Sequence, residues 1–242
     1  MGARRSSHVV DVPLSKSYRV RTEIARILDG LDEGDAVPPE RELAERFSVS
    51  RETVRQALHE LLVEGRITRR GRGTVVSAPK LVQPLARGSH TEGAQRQGRV
   101  PGRVPLSMGD AVAPDDICDD LAVPRGSQAL RIDRLLLADG AKMGLESTFL
   151  PLPRFDVFHE EFDPATSLYA AMHSLRIEFG PAEERIETAL ATPPEAKLLE
   201  TTTAMPMLLM NRLSFDSAGT PIERVRSLYR GDRMAFEVLL RE

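Results

Sequence analysis

The front of the chain is defined by residues 38–62, which read PPERELAERFSVSRETVRQALHELL. Apolar residues recur at helical spacing over residues 43–47 and again over residues 54–62, on either side of a short polar break. The break covers residues 48–50, and its last residue, Ser50, is a favoured N-cap for the helix that follows. The stretch therefore predicts two helices joined by a three-residue turn, as in a helix-turn-helix.

A third helix is predicted before this pair. Its apolar stripe, at i, i+4, i+7, i+8 and i+11, is formed by Val20, Ile24, Ile27, Leu28 and Leu31. Pro39 suits the opening of the second helix, because a first helical turn needs no N–H from it. Gly65 suits the end of the third. We expect a small helical domain over residues 12–77.

Two short strands joined by a basic tip are predicted after the third helix. They cover residues 66–70 and 74–76, and the glycine-bearing tip Gly71-Arg72-Gly73 joins them. Glycine allows the sharp turn and a close approach of backbone to a ligand. Such a hairpin forms a wing, from which Arg70 and Arg72 can reach phosphates or a minor groove.

Arg51 and Arg55 lie one helical turn apart and project together from the start of the third helix. In a recognition helix they would meet guanine edges or phosphates in a major groove. Taken alone, two arginines on an amphipathic helix are also what a solvated face would show. The ordered set of helix, turn, helix and basic wing favours DNA binding instead.

The charge of the chain is unevenly distributed. The whole sequence has a net charge of −3, but residues 1–88 hold 16 Lys and Arg against 12 Asp and Glu, a net +4, and the remainder carries −7. A basic front segment attracts polyanions such as nucleic acid, although this observation by itself is weak.

The front segment resembles the GntR family of bacterial transcription regulators. The resemblance covers residues 14–76 and is carried by residues 39–44, 49–58 and 71–74. It implies DNA contacts at Arg41, Ser50, Arg51, Thr53, Arg55 and the wing Gly71, Arg72 and Gly73. The family often has serine at the position of Pro39, which affects only the start of the second helix.

A dense run of glycines and prolines follows the wing, from Pro79 to Pro105, and no apolar period continues through residues 77–105. Glycines and prolines at this density predict a linker or irregular loops. We place a linker at 78–89 and a second domain at 90–242, which is long enough to bury a core of its own.

The second domain is predicted to be α+β. Strands are expected over residues 129–137 and 143–150, joined by a turn at Asp139-Gly140, and over 207–215 and 221–229. Helices are expected over residues 166–175 and 194–199 between these hairpins. This order of strands and helices is typical of a mixed sheet-and-helix domain.

The second domain resembles the UTRA effector domain of the HutC subfamily of GntR regulators, which has a chorismate-lyase-like fold. The short matching pieces lie around Arg134, Asp139-Gly140 and Glu146 and over residues 167–169, 221–223 and 229–233. The resemblance implies an effector pocket lined by His90, Thr91, Arg134, Glu146, Ser167, Glu223 and Tyr229. These side chains suit a small anionic metabolite, because an arginine and a hydroxyl hold anions and carboxylates accept from hydroxyls or amines.

Two departures from that family bear on the ligand. An arginine that the family carries two residues after Arg134 is Leu136 here, and the usual Asp-Gly-Glu-Pro turn is Asp139-Gly140-Ala141-Lys142. Losing an arginine weakens the case for a doubly charged phosphate and favours a monoanion such as a small carboxylate, unless Lys142 compensates.

Each candidate of the second domain has an ordinary structural interpretation as well. The arginine and the two glutamates suit surface ion pairs on strands. Tyr229 suits a core position, and His90 an exposed loop.

Catalytic signatures are missing from the sequence. There is no Gly-x-Ser-x-Gly, Walker or Gly-x-Gly-x-x-Gly motif, and the five histidines have no metal-ligand spacing. We expect no catalytic residues, no cofactor, no metal, no membrane span and no secretory signal. The single cysteine, Cys118, allows no internal disulfide and suits a cytoplasmic protein.

The sequence therefore predicts a cytoplasmic transcription regulator, a repressor rather than an activator. It would bind a palindromic operator in double-stranded DNA as a homodimer, with an effector in the second domain altering operator affinity. Two alternatives remain open: a chorismate-lyase-like enzyme fused to a DNA-binding module, and a regulator with a vestigial pocket.

Overall fold

A computed structural model of the protein describes residues 15–71, 73–85 and 90–240. The chain divides into two compact units between Ala78 and Pro79. In the described residues, no helix combines the length and the apolar character needed to cross a bilayer.

The first unit contains three helices and a two-stranded hairpin. These are α1 (Lys16–Leu28), α2 (Glu40–Phe47), α3 (Arg51–Val63), β1 (Ile67–Arg70) and β2 (Gly73–Val76). The strands pair antiparallel, from Ile67 opposite Val76 to Arg70 opposite Gly73. The predicted helix-turn-helix and wing are confirmed.

Local chemistry explains why the helices begin and end where they do. The Ser50 hydroxyl accepts a hydrogen bond from the Thr53 N–H at 3.2 Å and caps α3. Ser48, with φ of 51°, takes the left-handed conformation that ends α2. The first residue of α2 is Glu40, and Pro39 before it supplies no side-chain cap.

One apolar core holds the first unit together. It is built from all three helices and the first strand, and its fully or almost fully buried members include Ile24, Leu43, Val54, Leu61 and Ile67. The wing is also bonded to the segment before α2, because the Val37 N–H donates to the Thr74 carbonyl at 2.9 Å.

The second unit is built on a six-stranded antiparallel sheet. In chain order its elements are β3 (Leu81–Pro84), α4 (His90–Arg96), β4 (Pro101–Val112), α5 (Asp115–Asp120), β5 (Gln128–Ala138), β6 (Ala141–Pro151), α6 (Phe158–Glu161), α7 (Leu168–Ser174), β7 (Phe179–Leu190), α8 (Pro193–Leu198), β8 (Pro206–Asp216), β9 (Pro221–Arg230) and β10 (Met234–Glu237). The sheet order is β4-β5-β6-β9-β8-β7, and β3 pairs in parallel with β10 outside it.

The two predicted hairpins form the centre of the sheet. β5 and β6 are joined at Asp139 and Gly140, whose φ angles of 50° and 76° are those of a tight two-residue hairpin turn. β8 and β9 pair over almost their whole length. The α+β prediction is confirmed.

The expectation of irregular chain over residues 77–105 is wrong in part. Leu81–Pro84 forms a strand, His90–Arg96 forms a helix, and Pro101 begins the long strand β4. β4 lies at an edge of the sheet, where proline is tolerated because its missing N–H faces no partner strand. The linker placed at 78–89 is accordingly interrupted by β3, since Leu81 is fully buried in the core of the second unit.

Candidate functional site

The basic side chains predicted to contact DNA lie on the surface of the first unit. Arg41, Arg51, Arg55 and Arg70 are all exposed. Arg51 is the first residue of α3 and forms no ion pair with any described residue. Its guanidinium is therefore available to a ligand.

Other members of this set are engaged within the unit. Arg55 pairs with Glu52 at 2.8 Å and with Glu40 at 3.3 Å, and so links α3 to the start of α2. The hydroxyls of Ser50 and Thr53 lie 2.9 Å apart and bond to each other. If Ser50, Thr53 and Arg55 contact DNA, they do so with side-chain atoms that already form bonds at the start of α3.

The wing has the backbone that its glycines predict. Gly71, with φ of 61°, is in the left-handed region, and an added Cβ at Gly71 would meet nothing within 4 Å. Gly73 begins β2. Arg72 lies outside the described residues.

A small cavity of about 40 Å³ lies on one face of the large sheet. Its walls include five of the seven residues predicted for the effector pocket: His90, Arg134, Glu146, Glu223 and Tyr229. They converge because alternate residues of neighbouring strands share a face: Arg134 lies opposite Glu146, and Glu146 opposite Ser227.

Arg134 and Glu146 form a buried ion pair in this wall. The Arg134 side chain is 3% exposed; its Nε donates to Glu146 at 2.9 Å, and one Nη donates to the Thr166 carbonyl at 3.2 Å. Burial raises the pKa of Glu146, but Arg134 and Arg103 outweigh it, so this pKa lies below its ordinary value. Glu146 is thus an anion held between two cations, which corrects the interpretation of this pair as surface charges.

A second polar network joins the other side of the cavity. The Tyr169 hydroxyl donates to Glu223 at 2.5 Å and accepts from Arg212 at 2.7 Å, and Ser214 donates to Glu223 at 2.8 Å. Burial raises the pKa of Glu223 and the pKa of Tyr169. Only one oxygen of the Glu223 carboxyl is used in these bonds.

His90 and Tyr229 are both buried. The His90 Nε2 lies 2.8 Å from the Leu137 carbonyl, which fixes its hydrogen there and leaves Nδ1 as an acceptor. Burial lowers the pKa of His90, so the imidazole is neutral at pH 7. His90 is 4% exposed, which corrects its interpretation as an exposed loop residue, whereas Tyr229 is both a core residue and a wall of the cavity.

Ser167 and Thr91 do not line the cavity. The Ser167 hydroxyl accepts from the Ala170 N–H at 3.3 Å and caps α7. Thr91 lies next to His90 in α4, with its hydroxyl buried.

Sequence reasoning missed several walls of the cavity, namely Gln83, Arg103, Thr148, Tyr169 and Arg212. Gln83 and Arg103 lie in the stretch expected to be irregular, so no strand alternation pointed to them. Thr148, Tyr169 and Arg212 lie in or beside predicted elements, and the alternation of Arg212 with Met210 and Ser214 was the available signal.

Unsatisfied polar atoms are concentrated at this cavity. Among the described residues, seven buried side-chain nitrogen or oxygen atoms make no hydrogen bond. Six of the seven belong to cavity walls: Gln83 Oε1, His90 Nδ1, Arg103 Nε, Thr148 Oγ1, Glu223 Oε2 and Ser227 Oγ. Native proteins rarely leave such atoms unpaired, and a cluster of them indicates a site for a polar ligand.

A larger groove of about 760 Å³ adjoins the cavity. Tyr169 and Arg212 line both spaces. The groove also has an aromatic wall, in which the ring centroids of Tyr169 and Phe179 lie 4.7 Å apart and those of His173 and Phe179 5.2 Å apart. The cavity and the groove therefore share a wall formed by Tyr169 and Arg212.

No group of three or more His, Cys, Asp or Glu side chains in the described residues is arranged to hold a metal ion.

Comparison with known proteins agrees with both halves of this description. The pattern of the gntR family of bacterial regulatory proteins matches residues 20–76, and that of the UTRA domain matches residues 96–235. The HTH-type transcriptional repressor PhnF of Mycolicibacterium smegmatis is 48% identical over 93% of this chain and 92% of its own. The HTH-type transcriptional repressor NagR of Bacillus subtilis is 34% identical over 83% of each chain.

The fold is similar to a solved structure as well. The crystal structure of PhnF from Mycobacterium smegmatis matches 92% of this chain and 99% of that one, with a TM-score of 0.68 and 47% identity. The chain belongs to the GntR family of bacterial regulators, and is a DNA-binding transcription regulator with a winged helix-turn-helix and a UTRA domain.

Proposed function

We propose that this regulator is a repressor whose UTRA domain binds a small anionic metabolite in the cavity, and that this binding changes its affinity for an operator. The observation that carries the proposal is the cluster of six unpaired polar atoms around one cavity. Each buried group left unsatisfied costs about 1–3 kcal/mol, so a ligand that pairs with several of them is bound favourably.

The polarity of the cavity favours an anion. Three arginines, Arg103, Arg134 and Arg212, face two glutamates, Glu146 and Glu223, and burial raises the pKa of Glu223 towards its neutral form. Glu146 pairs with Arg134 and Glu184 pairs with Arg212, so with the pKa of Glu223 raised by burial the balance of charge around the cavity is positive. The adjoining groove, whose walls include Glu178, Glu184 and the ring of Phe179, suits a part of the same metabolite that has both polar and apolar groups.

On the DNA side, we infer that the protein acts in the cytoplasm as a homodimer on a palindromic operator, because two-fold operators mirror two-fold proteins. Arg41 and Arg51 would read base edges. Ser50, Thr53, Arg55, Arg70 and the wing from Gly71 to Gly73 would position the protein on phosphates. The repressor names of its relatives PhnF and NagR support repression.

A ligand screen tests the effector half of this proposal. The purified protein is heated with amino-sugar phosphates, urocanate, small carboxylates and acyl derivatives, each near saturation. A ligand at about 100 times its dissociation constant adds about 2.7 kcal/mol, which raises the unfolding temperature measurably. Operator DNA is obtained by selection from a randomised pool and its affinity measured with and without the ligand.

We expect the ligand to change operator affinity by about 5- to 150-fold, the usual range of such coupling. Glu223→Gln should abolish the response, since Glu223 is fully buried in the cavity wall. Glu187→Gln, on β7 outside both spaces, is the matched control and should retain it. A ligand recovered chemically altered would favour an enzyme, and intact operator binding with no ligand response would favour a vestigial pocket.

A further inference from the structure

The guanidinium of Arg103 lines the cavity near Glu146, whose carboxylate is already bonded to Arg134. Its Nε is buried and makes no hydrogen bond, and the side chain forms no ion pair with any described residue. Burial lowers the pKa of Arg103, and the neighbouring Arg134 lowers it further. The Glu146 carboxylate acts on this pKa in the opposite direction but accepts no hydrogen bond from Arg103, so the buried Nε is left to be satisfied by an acceptor on a ligand.

The other two arginines of the cavity are already engaged. Arg134 is bound to Glu146 and to the Thr166 carbonyl. Arg212 is bound to Glu184 and to the Tyr169 hydroxyl. Neither guanidinium can take a ligand without sharing donors with these partners.

The strand register places Arg103 on the same face of the sheet as Arg134. Arg103 on β4 lies directly opposite Leu136 on β5. Opposite residues of an antiparallel pair share a face, so Arg103 projects from the same face as Leu136 and Arg134. Leu136 itself is fully buried in an apolar cluster with Leu81, Ala138, Met143, Met210 and Tyr229.

Lys142 does not supply a cation to the cavity. Its ammonium pairs with Glu200 at 3.1 Å, and it is not among the walls of the cavity. Among the three arginines of the cavity, Arg103 alone makes no hydrogen bond or ion pair with a described residue.

We propose that Arg103 is the residue that binds the anionic group of the effector, and that Arg134 positions Glu146 instead. This inference rests on the proposed effector function and assigns its specificity-determining residue. The chemistry it recognises is an oxyanion, either a carboxylate with one charge or a phosphoryl or sulfo group with up to two.

The test uses the full chain with two anions of known charge. Sodium sulfate and sodium acetate are titrated against the protein by isothermal calorimetry at matched ionic strength, with sodium chloride as the background. Four proteins are compared: the parent, Arg103→Gln, Arg103→Lys and the matched control Arg185→Gln, an exposed arginine of β7 that pairs with Glu187.

We expect Arg103→Gln to weaken anion binding by about tenfold or more, because a hydrogen bond to a charged group is lost. Arg103→Lys should keep part of the affinity, since it retains the charge but not the planar donor fork. Arg185→Gln should bind as the parent does. Sulfate binding more tightly than acetate identifies a doubly charged group, and the reverse order a carboxylate.

Exchanging the two opposite residues provides a rescue. The double variant Arg103→Leu with Leu136→Arg moves the guanidinium to the opposite residue on β5, and we expect it to bind the anion more tightly than Arg103→Gln. If this variant does not fold, the comparison of Arg103→Gln with Arg103→Lys decides the matter.

The possible failures are distinct. Unchanged anion binding by Arg103→Gln overturns the role of Arg103 and leaves the proposed effector function standing. Failure of the parent to bind either anion, with its operator affinity unaffected by both, overturns this inference and the anionic effector together.

Discussion

At the residue scale, Arg51 is the side chain on which reading of the operator depends most. It stands exposed at the first turn of α3, and no described residue pairs with it. We expect Arg51→Ala to weaken operator binding by about 1–3 kcal/mol and to relax base preference, because a guanidinium at a guanine edge carries discrimination. Fluorescence anisotropy with operator and with scrambled DNA measures both effects.

Arg125→Ala is the control, since Arg125 lies exposed in the second unit, where it pairs with Asp115 and Asp119. Its operator affinity should equal that of the parent. If Arg51→Ala also distinguished operator from scrambled DNA as the parent does, Arg51 would not read bases.

The stability of the folded protein should depend on pH through His90, a wall of the cavity. Burial lowers its pKa below the ordinary value of about 6.5, while the Leu137 carbonyl opposes this and Arg103 adds to it. The unfolded chain therefore takes up a proton at a pH where the folded chain does not, and the stability due to neutral His90 is lost as the pH falls below about 6.5.

We accordingly expect acidification from about pH 7.5 to about pH 5.5 to lower the unfolding free energy of the parent more than that of His90→Gln. Urea denaturation at the two pH values measures the difference. The comparison with the variant is needed because Glu223, whose pKa is raised by burial, responds in the opposite direction. Parallel losses in the two proteins would show that His90 does not titrate as the structure implies.

At the scale of the elements, the close pairing of β6 with β9 requires a glycine at position 144. Gly144 lies opposite Tyr229, and an added Cβ would come within 2.7 Å of the Tyr229 ring and 2.9 Å of the Leu228 carbonyl. We expect Gly144→Ala to lower the unfolding free energy by about 1–3 kcal/mol, because overpacking shifts strands or rotamers. Urea denaturation measures it.

Gly109→Ala is the matched control, because Gly109 lies on the edge strand β4 of the same sheet and an added Cβ there meets nothing within 4 Å. Its unfolding free energy should stay within about 0.5 kcal/mol of the parent. Equal effects at the two glycines would mean that the tight contact with Tyr229 is relieved without penalty.

Elements with strong local signals were predictable. The cap at Ser50, the period of α3 and the Asp139-Gly140 turn each fix structure through neighbours in sequence, and all three are confirmed. β4 was not predictable in this way. Pro101, Gly102 and Pro105 argue against a strand locally, and only pairing with β5 at a sheet edge compensates for them.

At the scale of the whole molecule, the basic front and acidic back predict a salt-dependent DNA affinity. Lys and Arg that neutralise phosphates release counterions, so the logarithm of the affinity falls linearly with the logarithm of the salt concentration. We expect Arg55→Ala and Arg70→Ala each to reduce that slope by about one. Anisotropy titrations over a range of potassium chloride concentrations measure the slope.

Arg185→Ala, in the acidic second unit, should leave the slope unchanged. Because Arg55 already pairs with Glu40 and Glu52, its loss should also lower stability slightly, whereas the loss of Arg70 should not. If neither Arg55→Ala nor Arg70→Ala changed the slope, other residues would make the phosphate contacts.

The sequence by itself determined the helix-turn-helix, the wing, the two central hairpins and the α+β class, because those features follow from periodicity, caps and turn residues that act over a few positions. It also named five residues that the fold brings to one cavity, since they recur in short motifs of a related family.

Only the tertiary structure decided what those residues do there. It paired Arg134 with Glu146, assigned Ser167 to a helix cap and brought Arg103 from an edge strand to the side of Leu136. The physical reason is that register across a sheet joins residues far apart in sequence. A charge is costly or satisfied according to those neighbours, and local pattern does not encode them.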